Sequence, residues 1–434
     1  MQSTQEAQIA GYTPARSCNA VATVHLEQLQ IDDKPRDVLH KILSLSFVMS
    51  EPSAQVVQNH DGSRSTASRE LHRSSDDYLT PSLNSKVLRS PTRAIGWGSC
   101  GIVYEELGTS HVIKRAIRGN AALSKDCRLL NDLFIHKTVE EAFDRLLKKQ
   151  SVAPSFHVPR LYSYMSRSDR MCWSTHARMF ADGDRTPEDL LLSERIPPVH
   201  DVARRALIDQ YCPEELKAGA RLQDGNKDCL VRLYLGKRRD LVPRIRPRRF
   251  FGLRNFPLCL DQMQDLGLET QQYAMVMAEA LAMMHWEARI DAADVEFVLG
   301  GPPSLTHRPV PSLQILLQSG AISPSEVAMS QSEAGATHIW LLDFNQCQAI
   351  TMDEHGVDQA VKRFFDNDPY YPRPLATGSK DMALWDVFAS QYLGASNRIV
   401  DPKRGHLPQL FIQKVKERAR KKAEAAQRSG GLET

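Results

Sequence analysis

The sequence lacks several features that would place the protein in a membrane or outside the cell. It has no apolar run of about 18 residues, which is the length needed to cross a bilayer. Its first residues, MQSTQEAQIAGYTPARS, do not follow the basic and then apolar pattern of a signal peptide. We therefore predict a cytoplasmic or nuclear protein that is neither secreted nor inserted into a membrane.

Closely paired cysteines are also missing. The eight cysteines are scattered along the chain, which argues against a disulfide framework and against a zinc module. Cys172 and His176 have a metal-like spacing, but no second pair stands near them in the sequence. We predict reduced thiols and no zinc.

A strong excess of charge of either sign is absent as well, since the formal net charge is only +3. Basic residues are nevertheless concentrated in two runs, Lys237 to Arg254 and Lys403 to Arg428. Most runs of this kind are solvated surface, although they can contact acidic proteins, anionic lipid or nucleic acid. We predict no nucleic-acid binding and leave a protein partner open for the basic segments.

Composition divides the chain into a globular body and two flanking segments. Residues 1–90 are predicted to be a mostly disordered leader, because their Ser-, Arg- and Asp-rich second half contains little apolar surface. Within the leader, the apolar spacing in RDVLHKILSLSF predicts a helix that docks on the body or on a partner. Residues 401–434 are predicted to be a basic helical tail. Residues 301–337, rich in Pro, Ser and Gln, look like an insertion that covers a substrate or a protein partner.

A glycine-rich segment opens the informative part of the body. The sequence IGWGSCGIVY contains Gly96, Gly98, Gly101 and Val103 in the pattern G-x-G-x-x-G-x-V. The glycine spacing alone also occurs in dinucleotide-binding folds, where a helix follows the loop. Here the following residues are β-prone on both sides of a turn, which favours a hairpin whose N–H groups approach the phosphates of a nucleotide.

The strand after this turn carries Lys114, and we predict that it reaches the same phosphates. A plain hairpin with an exposed lysine remains the alternative. A long amphipathic helix follows, with Glu140 on its apolar face, and we predict that Glu140 pairs with Lys114, although such a Glu is more often solvated. Further along, the strand DLLLSERI places Glu194 and Ile196 at a hinge whose backbone groups would meet an adenine.

An apolar helix near residues 273–286 leads into the second half of the predicted site. Asp291 and Glu296 then stand five residues apart, as do the catalytic base and a metal ligand in kinases. The residues around them depart from the usual pattern, and Glu296 replaces an Asn, so metal binding is expected to survive while transfer is slowed. Asp294 is an alternative base, and an ordinary acidic loop is the other interpretation.

The third part of the predicted site is the strand HIWLLDFN. Asp343 ends this strand in a sequence that resembles Asp-Phe-Gly, so we predict that Asp343 and Glu296 bind Mg²⁺. A strand-ending Asp is otherwise a common turn former. A helix is predicted within about 15 residues of Asp343, which leaves little room for a peptide-binding segment and favours a small hydroxylated substrate.

These elements predict an α+β, two-lobed protein-kinase-like fold, with a small β-rich lobe at residues 91–196 and a larger, mostly helical lobe at residues 197–400. Several further segments within about residues 90–375 stand out, namely LRNFPL, MHWEA, DVEFVLG, LLDFNQC and FFDNDPYYPRP. Together they resemble a fungal family of unknown function that is often labelled a zinc-finger family. The resemblance to protein kinases and to aminoglycoside or choline kinases is limited to the glycines, the lysine and the aspartates.

Two functions follow as expectations. The first is a protein that binds ATP and Mg²⁺ and transfers phosphate to a small hydroxylated molecule or a protein. The second is a catalytically weak or dead pseudokinase that acts as a regulatory or scaffold protein. The family resemblance implies no settled activity, but its members can lie near natural-product gene clusters, which implies a place in secondary metabolism.

Overall fold

The computed structural model describes residues 19–20, 33–44, 47–48, 92–98, 100–117, 128–149, 155–239, 249–303, 337–374 and 379–430. Most of the predicted leader, most of the predicted insertion at 301–337 and the middle of the first basic run lie outside the described residues. The described part is an α+β structure built around two main sheets.

The strands, in chain order, are β1 (Asn19–Ala20), β2 (Phe47–Val48), β3 (Thr92–Trp97), β4 (Gly101–Glu106), β5 (His111–Ala116), β6 (Leu161–Met165), β7 (Leu190–Glu194), β8 (Val231–Tyr234), β9 (Phe256–Cys259), β10 (Glu296–Gly300) and β11 (His338–Leu342). The helices are α1 (Pro35–Leu43), α2 (Arg128–Lys149), α3 (Arg170–His176), α4 (Asp201–Tyr211), α5 (Glu214–Leu222), α6 (Leu260–Asp265), α7 (Thr270–Ala282), α8 (Glu354–Asp366), α9 (Ser379–Ile399) and α10 (His406–Gly430). No helix in the described ranges has the length and hydrophobicity required to cross a bilayer.

The first main sheet has five strands in the order β3-β4-β5-β7-β6, and all neighbours are antiparallel. The hairpin β3–β4 carries the glycine-rich loop, and a bulge between Ala94 and Gly96 bends its first strand. Helix α2 lies between β5 and β6 in the chain and packs against β6 and β7. A small apolar core on this sheet joins Tyr104 and Ile113 to Trp173 of α3.

The second main sheet has four strands in the order β11-β10-β8-β9. Strands β10 and β11 form an antiparallel hairpin, and β8 pairs in parallel with β9. Helices α7 and α9 pack closely against each other, and their buried faces belong to the main hydrophobic core together with this sheet. The predicted helix around residues 273–286 is present as α7 and a following π-turn, Met283–Glu287.

Helix α1 forms where the leader was expected to contain a helix, and it docks on the body. Leu39, Ile42 and Leu43 are fully buried in the main core, and α1 packs against α4. The His40 ring nitrogen Nδ1 lies 3.0 Å from the carbonyl oxygen of Leu266, and the Tyr273 hydroxyl donates to the Leu43 carbonyl. Of the two expected docking surfaces, the body is therefore the one observed.

The basic tail forms helix α10. Its first half packs on the body through Leu407, Phe411 and Val415, which are buried. Its second half is largely exposed and carries most of the basic residues. The helix expected in the tail is therefore present and begins as a packed element.

Candidate functional site

A cavity of about 340 Å³ lies between the glycine-rich hairpin and the second sheet. Its apolar walls come from both sides, with Ile95, Val103, Val112 and Leu191 from the five-stranded sheet and Leu230 and Leu342 from the region of the other sheet. All the residues predicted to line a nucleotide pocket, except Asp291 and Glu140, border this cavity. The structure therefore brings the predicted residues together around one cavity, apart from these two acids.

The glycine loop closes one side of the cavity. The Gly98 N–H donates to the Gly101 carbonyl at 3.0 Å, which fixes the hairpin turn. A Cβ on Gly101 would lie 2.6 Å from the Arg115 carbonyl oxygen, so this position cannot take a side chain without moving β5. A Cβ on Gly96 or Gly98 would meet only ordinary contacts. Gly101 therefore sets the close approach of β4 to the strand that carries Lys114.

Lys114 is the cation at the base of the cavity. Its Nζ lies 2.7 Å from Oδ2 of Asp132 and 2.9 Å from Oδ1 of Asp343. Burial alone would lower the pKa of Lys114, but the two carboxylates outweigh it and raise the pKa well above its ordinary value. The lysine is therefore charged and held in one orientation.

The expected pairing of Lys114 with Glu140 is wrong. Asp132 is the residue of α2 that meets Lys114, and Glu140 lies about two turns after it. There, Oε1 of Glu140 accepts a hydrogen bond of 3.1 Å from Arg160. Asp132, His136 and Glu140 follow one another at four-residue spacing, so they lie along one ridge of α2. Asp132 precedes His136, a member of the predicted apolar stripe, by one turn, and this spacing was the signal that could have found it.

Asp343 directly follows β11 and has a left-handed conformation, with φ of 64°. The Asn345 side chain donates to Oδ1 of Asp343, and Phe344 is buried with its ring 5.2 Å from that of His136 on α2. Cys100 of the glycine loop donates its thiol to Oδ1 of Asn345 at 3.1 Å. The segment after β11 is thus tied both to α2 and to the glycine loop.

Asp291 does not reach the cavity, so its expected role as the catalytic base is corrected. The residue is 1% exposed, and Oδ1 accepts from the backbone N–H groups of Ala293 and Gln348 at 3.2 and 2.9 Å. Oδ2 accepts from Gln359 and Arg363 at 2.9 and 3.3 Å. A carboxylate surrounded by four donors and shielded from solvent holds the loop together rather than meeting a substrate.

Asp294 and Glu296 line the cavity in place of Asp291. Asp294 has φ of 61° and accepts a hydrogen bond from the Gln346 side chain. Burial raises its pKa, and the nearby carboxylate of Asp343 raises it further. Burial also raises the pKa of Glu296 to about 7, with Arg232 opposing the shift and Asp343 adding to it.

Glu296, expected to bind a metal, is ion-paired with the Arg232 guanidinium across the β8–β10 pairing. Within the described ranges, no three His, Cys, Asp or Glu side chains come together as a ready-made metal cage. Mg²⁺ needs no such cage, since one or two carboxylates with phosphate oxygens and water complete its shell. Asp343 engages Lys114 and Asn345 through Oδ1, and Asp294 engages Gln346 through Oδ2, so among the described residues the other oxygen of each carboxylate accepts no hydrogen bond. The donor set fits Mg²⁺.

The expected hinge, Glu194 and Ile196, borders the cavity. The Glu194 side chain is used inside the protein, because Oε2 accepts from the Arg160 N–H at 3.1 Å. The Arg195 N–H donates to the Ser110 carbonyl at 2.8 Å, and Pro197 and Pro198 have no N–H. Ile196 therefore borders the cavity with a backbone N–H that none of the backbone hydrogen bonds of the described residues uses.

Besides Asp132, sequence reasoning missed four charged residues of the cavity wall, Arg195, Asp228, Arg232 and Arg254. Arg195 and Arg93 both bind Asp228 and Glu105, which joins the hairpin to the turn before β8. Arg254 lies over the ring of Trp97 in the glycine loop, with 4.5 Å between the guanidinium carbon and the ring centroid. In the sequence Arg254 belongs to a basic run and to the segment LRNFPL, and neither feature indicated a place at the cavity.

A family model described as "Zinc finger protein" matches residues 339–404, a minor part of the chain. No curated protein matches the sequence. The matched range begins in β11, includes Asp343 and extends through α8 and α9. It contains a single cysteine, Cys347, and a single histidine, His355, so the sequence within the match holds no zinc-finger ligand set.

Proposed function

We propose that the cavity binds ATP together with Mg²⁺ in a protein-kinase-like arrangement. The observation that carries this proposal is Lys114, held between Asp132 and Asp343 beneath a glycine-rich hairpin. In kinases a lysine on the third strand of the small lobe is oriented by an acid of the following helix, and an Asp after a later strand holds the metal ion. Lys114 lies on the third strand of its sheet in chain order, and Asp132 stands on the next helix.

The topology supports the same assignment for the fold. We assign residues 91–196 to a kinase-like small lobe, because their antiparallel sheet has one long helix, α2, inserted between its third and fourth strands. We assign residues 197–400 to a larger lobe, in which the hairpin of β10 and β11 brings Glu296 and Asp343 to the cavity. The two lobes would then enclose the nucleotide between them.

The apolar walls suit an adenine, and the base of the cavity suits phosphates. An adenine ring would lie between Ile95 and Val103 on one side and Leu230 and Leu342 on the other, with its edge toward Ile196. The phosphates would extend under the glycine loop toward Lys114. Asp343 would hold Mg²⁺ together with phosphate oxygens and water, and the cation would neutralise charge on the phosphates when it is bound.

Charge on the cavity walls favours a nucleotide that arrives with a cation. The walls carry four cationic side chains, Lys114, Arg195, Arg232 and Arg254, and six acidic ones, Asp132, Glu194, Asp228, Asp294, Glu296 and Asp343. A triphosphate alone would meet an excess of negative charge at close range. ATP with Mg²⁺ removes most of this repulsion, so we expect binding to depend on Mg²⁺.

In the active form of this proposal, the protein transfers the γ-phosphoryl group to a hydroxyl of a small molecule or a protein. The hydroxyl oxygen bonds to the γ-phosphorus, the bond to the bridging oxygen breaks, and ADP leaves. The hydroxyl proton passes to the Asp294 carboxylate, whose raised pKa makes it a better proton acceptor than an ordinary Asp. Asp343 is separated from α8 by a short segment, which favours a small acceptor over a bound peptide.

A second function, nucleotide binding by a pseudokinase with weak or no transfer, is favoured by two observations. Asp291 stands at the sequence position of the kinase base, but its carboxylate is saturated by four donors. Glu296, at the position of the second metal ligand, is neutralised by Arg232. Such a protein would act as a regulatory scaffold, with secondary metabolism as the setting implied by the family resemblance.

Nucleotide binding is tested by thermal shift with millimolar ATP, with and without Mg²⁺. We expect the wild type to be stabilised only when both are present, and Lys114→Ala to lose most of the shift. Lys137→Ala is the matched control, because Lys137 lies on α2 with its side chain 57% exposed. A wild type that ATP and Mg²⁺ do not stabilise would overturn both functions, while binding without phosphate release or transfer would select the pseudokinase.

A further inference from the structure

Arg254 differs from the other cations of the cavity wall in its partners. Lys114, Arg195 and Arg232 each form an ion pair with at least one carboxylate. Among the described residues, Arg254 forms no ion pair, and its Nε is buried without a hydrogen-bond partner. Of the four cationic side chains that line the cavity within the described residues, Arg254 is therefore the one without an ion-paired carboxylate.

The guanidinium of Arg254 instead covers the indole ring of Trp97, at 4.5 Å from the centroid. Trp97 belongs to the glycine loop and is 56% exposed, and both residues border the cavity. A cation over an aromatic face gains about 0.5–1 kcal/mol at an exposed site, which is less than a charge-assisted hydrogen bond to an anion provides. The stacked position is therefore one that an anionic ligand can compete with.

The backbone that carries Arg254 is held firmly in place. Asn255 adopts a left-handed conformation with φ of 50°, and the Leu253 N–H donates to Oδ1 of the buried Asn226 at 2.7 Å. The Leu253 side chain is fully buried. The backbone at Arg254 is thus fixed by its neighbours in the core, while the guanidinium lies at the cavity. A side chain held in this way is preorganised for binding a ligand.

We infer that Arg254 is a phosphate-binding residue. When a nucleotide is bound, its guanidinium moves off the Trp97 ring and contacts the phosphate oxygens beneath the glycine loop. This inference rests on the proposed function, since it names a second contact for the same ligand. A guanidinium matches a phosphate because its planar N–H groups donate to two oxygens at once. The uncompensated charge of Arg254 also offsets part of the acidic excess of the cavity walls.

The test compares the affinities of ATP and adenosine, both with Mg²⁺, for the wild type, Arg254→Gln and Arg254→Lys. Loss of a charge-assisted contact to phosphate is expected to weaken ATP binding by about tenfold or more in Arg254→Gln. Adenosine has no phosphate, so its affinity should stay within about twofold of the wild type. Arg254→Lys keeps the charge but not the fork and should fall between the two. Arg249→Gln is the matched control, because Arg249 is an exposed residue of the same basic segment.

Trp97 supplies an independent readout. It is 56% exposed, whereas Trp173, Trp286, Trp340 and Trp385 are at most 4% exposed, so acrylamide quenching of tryptophan emission reports mainly on Trp97. If the guanidinium moves from the ring to phosphate, saturating ATP should change this quenching in the wild type. Adenosine should change it much less, and Trp97→Phe should abolish the signal.

The outcomes separate the two proposals. If the wild type binds neither ATP nor adenosine, the nucleotide site itself fails and the role of Arg254 falls with it. If the wild type binds ATP and Arg254→Gln binds it equally well or more tightly, the nucleotide site stands and the inference is overturned, because Arg254 then only holds the loop. An equal loss of ATP and adenosine affinity also overturns it, since that result indicates a general effect on the cavity.

Discussion

Asp132 and Lys114 meet at 2.7 Å between Oδ2 and Nζ, and this contact joins α2 to the centre of the five-stranded sheet. Asp343 reaches the same ammonium group at 2.9 Å from the end of β11. One lysine therefore links the three elements that surround the base of the cavity. A shift of α2 would move the Asp132 carboxylate and with it the ammonium group of Lys114, because Asp132 is buried, at 3% exposed.

Asp132→Asn is expected to weaken ATP binding and to lower the free energy of unfolding by about 1.5–3 kcal/mol, since the buried ammonium loses a charged partner. Urea unfolding and ATP titration with Mg²⁺ measure the two effects. Glu140→Gln removes a carboxylate from the same helix that binds Arg160 instead, so it should leave ATP affinity unchanged. The opposite ranking of the two variants would show that Lys114 is oriented by Glu140 when nucleotide is bound.

Asp343→Asn is expected to remove the Mg²⁺ dependence of ATP binding. The amide keeps the shape of the side chain, and Asn tolerates the left-handed backbone found at this position, so the protein should fold normally. It loses the negative charge that a hard divalent cation requires. Isothermal titration with ATP at several Mg²⁺ concentrations measures the effect, with the exposed Asp386→Asn as control. An unchanged Mg²⁺ dependence would mean that the metal is held by other carboxylates.

The glycine loop and the strands on either side of it could be predicted because they depend on local sequence. Gly96, Gly98, Gly101 and the β-prone residues around Lys114 define a hairpin and its neighbouring strand without reference to the rest of the chain. The choice between Asp132 and Glu140 could not be made in this way. Both lie on one face of α2, and which of them meets Lys114 depends on how that helix crosses the sheet.

The loop before β10 shows a second reason why part of the site could not be predicted from the sequence. Arg289, Ala292 and Asp294 all have positive φ, at 57°, 52° and 61°, although none is a glycine. Each left-handed residue changes the direction of the side chains that follow, so spacing alone assigned the cavity to Asp291 when Asp294 occupies it. The contact of Arg254 with Trp97 was equally out of reach, since it joins segments that lie far apart in the chain.

Asp291→Asn is expected to lower the free energy of unfolding by about 2–4 kcal/mol, because its new amide N–H₂ would face donors in a buried site. Asp294→Asn should change stability by less than about 1 kcal/mol, since burial and the Asp343 carboxylate, which raise the pKa of Asp294, both disfavour its charge, and the amide carries none. It should nevertheless reduce any phosphate transfer. Urea unfolding and a phosphate-release assay measure the pair. A stable Asp291→Asn that has lost transfer, beside an active Asp294→Asn, would return the role of base to Asp291.

The raised pKa of Glu296 predicts a pH dependence of stability. In the unfolded chain the carboxyl titrates near 4.5, and in the folded protein its pKa is about 7. The contribution to stability is fully present below about pH 4.5 and is lost as the pH rises through about 7, because only the folded state still holds the proton between these values. The total is up to about 3 kcal/mol.

Urea unfolding between pH 5 and 8 measures this slope in the wild type and in Glu296→Gln, which cannot titrate. The variant should lose the part of the slope that Glu296 supplies, while Glu141→Gln, on the exposed side of α2, should keep it. Equal slopes in wild type and Glu296→Gln would show that the carboxyl is already ionised at pH 5, held so by Arg232.

Leu39→Ala is expected to destabilise the whole protein, although residue 39 belongs to the segment that composition assigned to a leader. The side chain is 0% exposed and lies in the main core, so its truncation should lower the free energy of unfolding by about 2–5 kcal/mol. Arg36→Ala, on the exposed face of α1, should change it by less than about 0.5 kcal/mol. Thermal and urea unfolding compare the two. If both variants unfold like the wild type, α1 is bound too weakly to count as part of the fold, whereas a selective loss in Leu39→Ala makes residues 33–44 part of the structural domain.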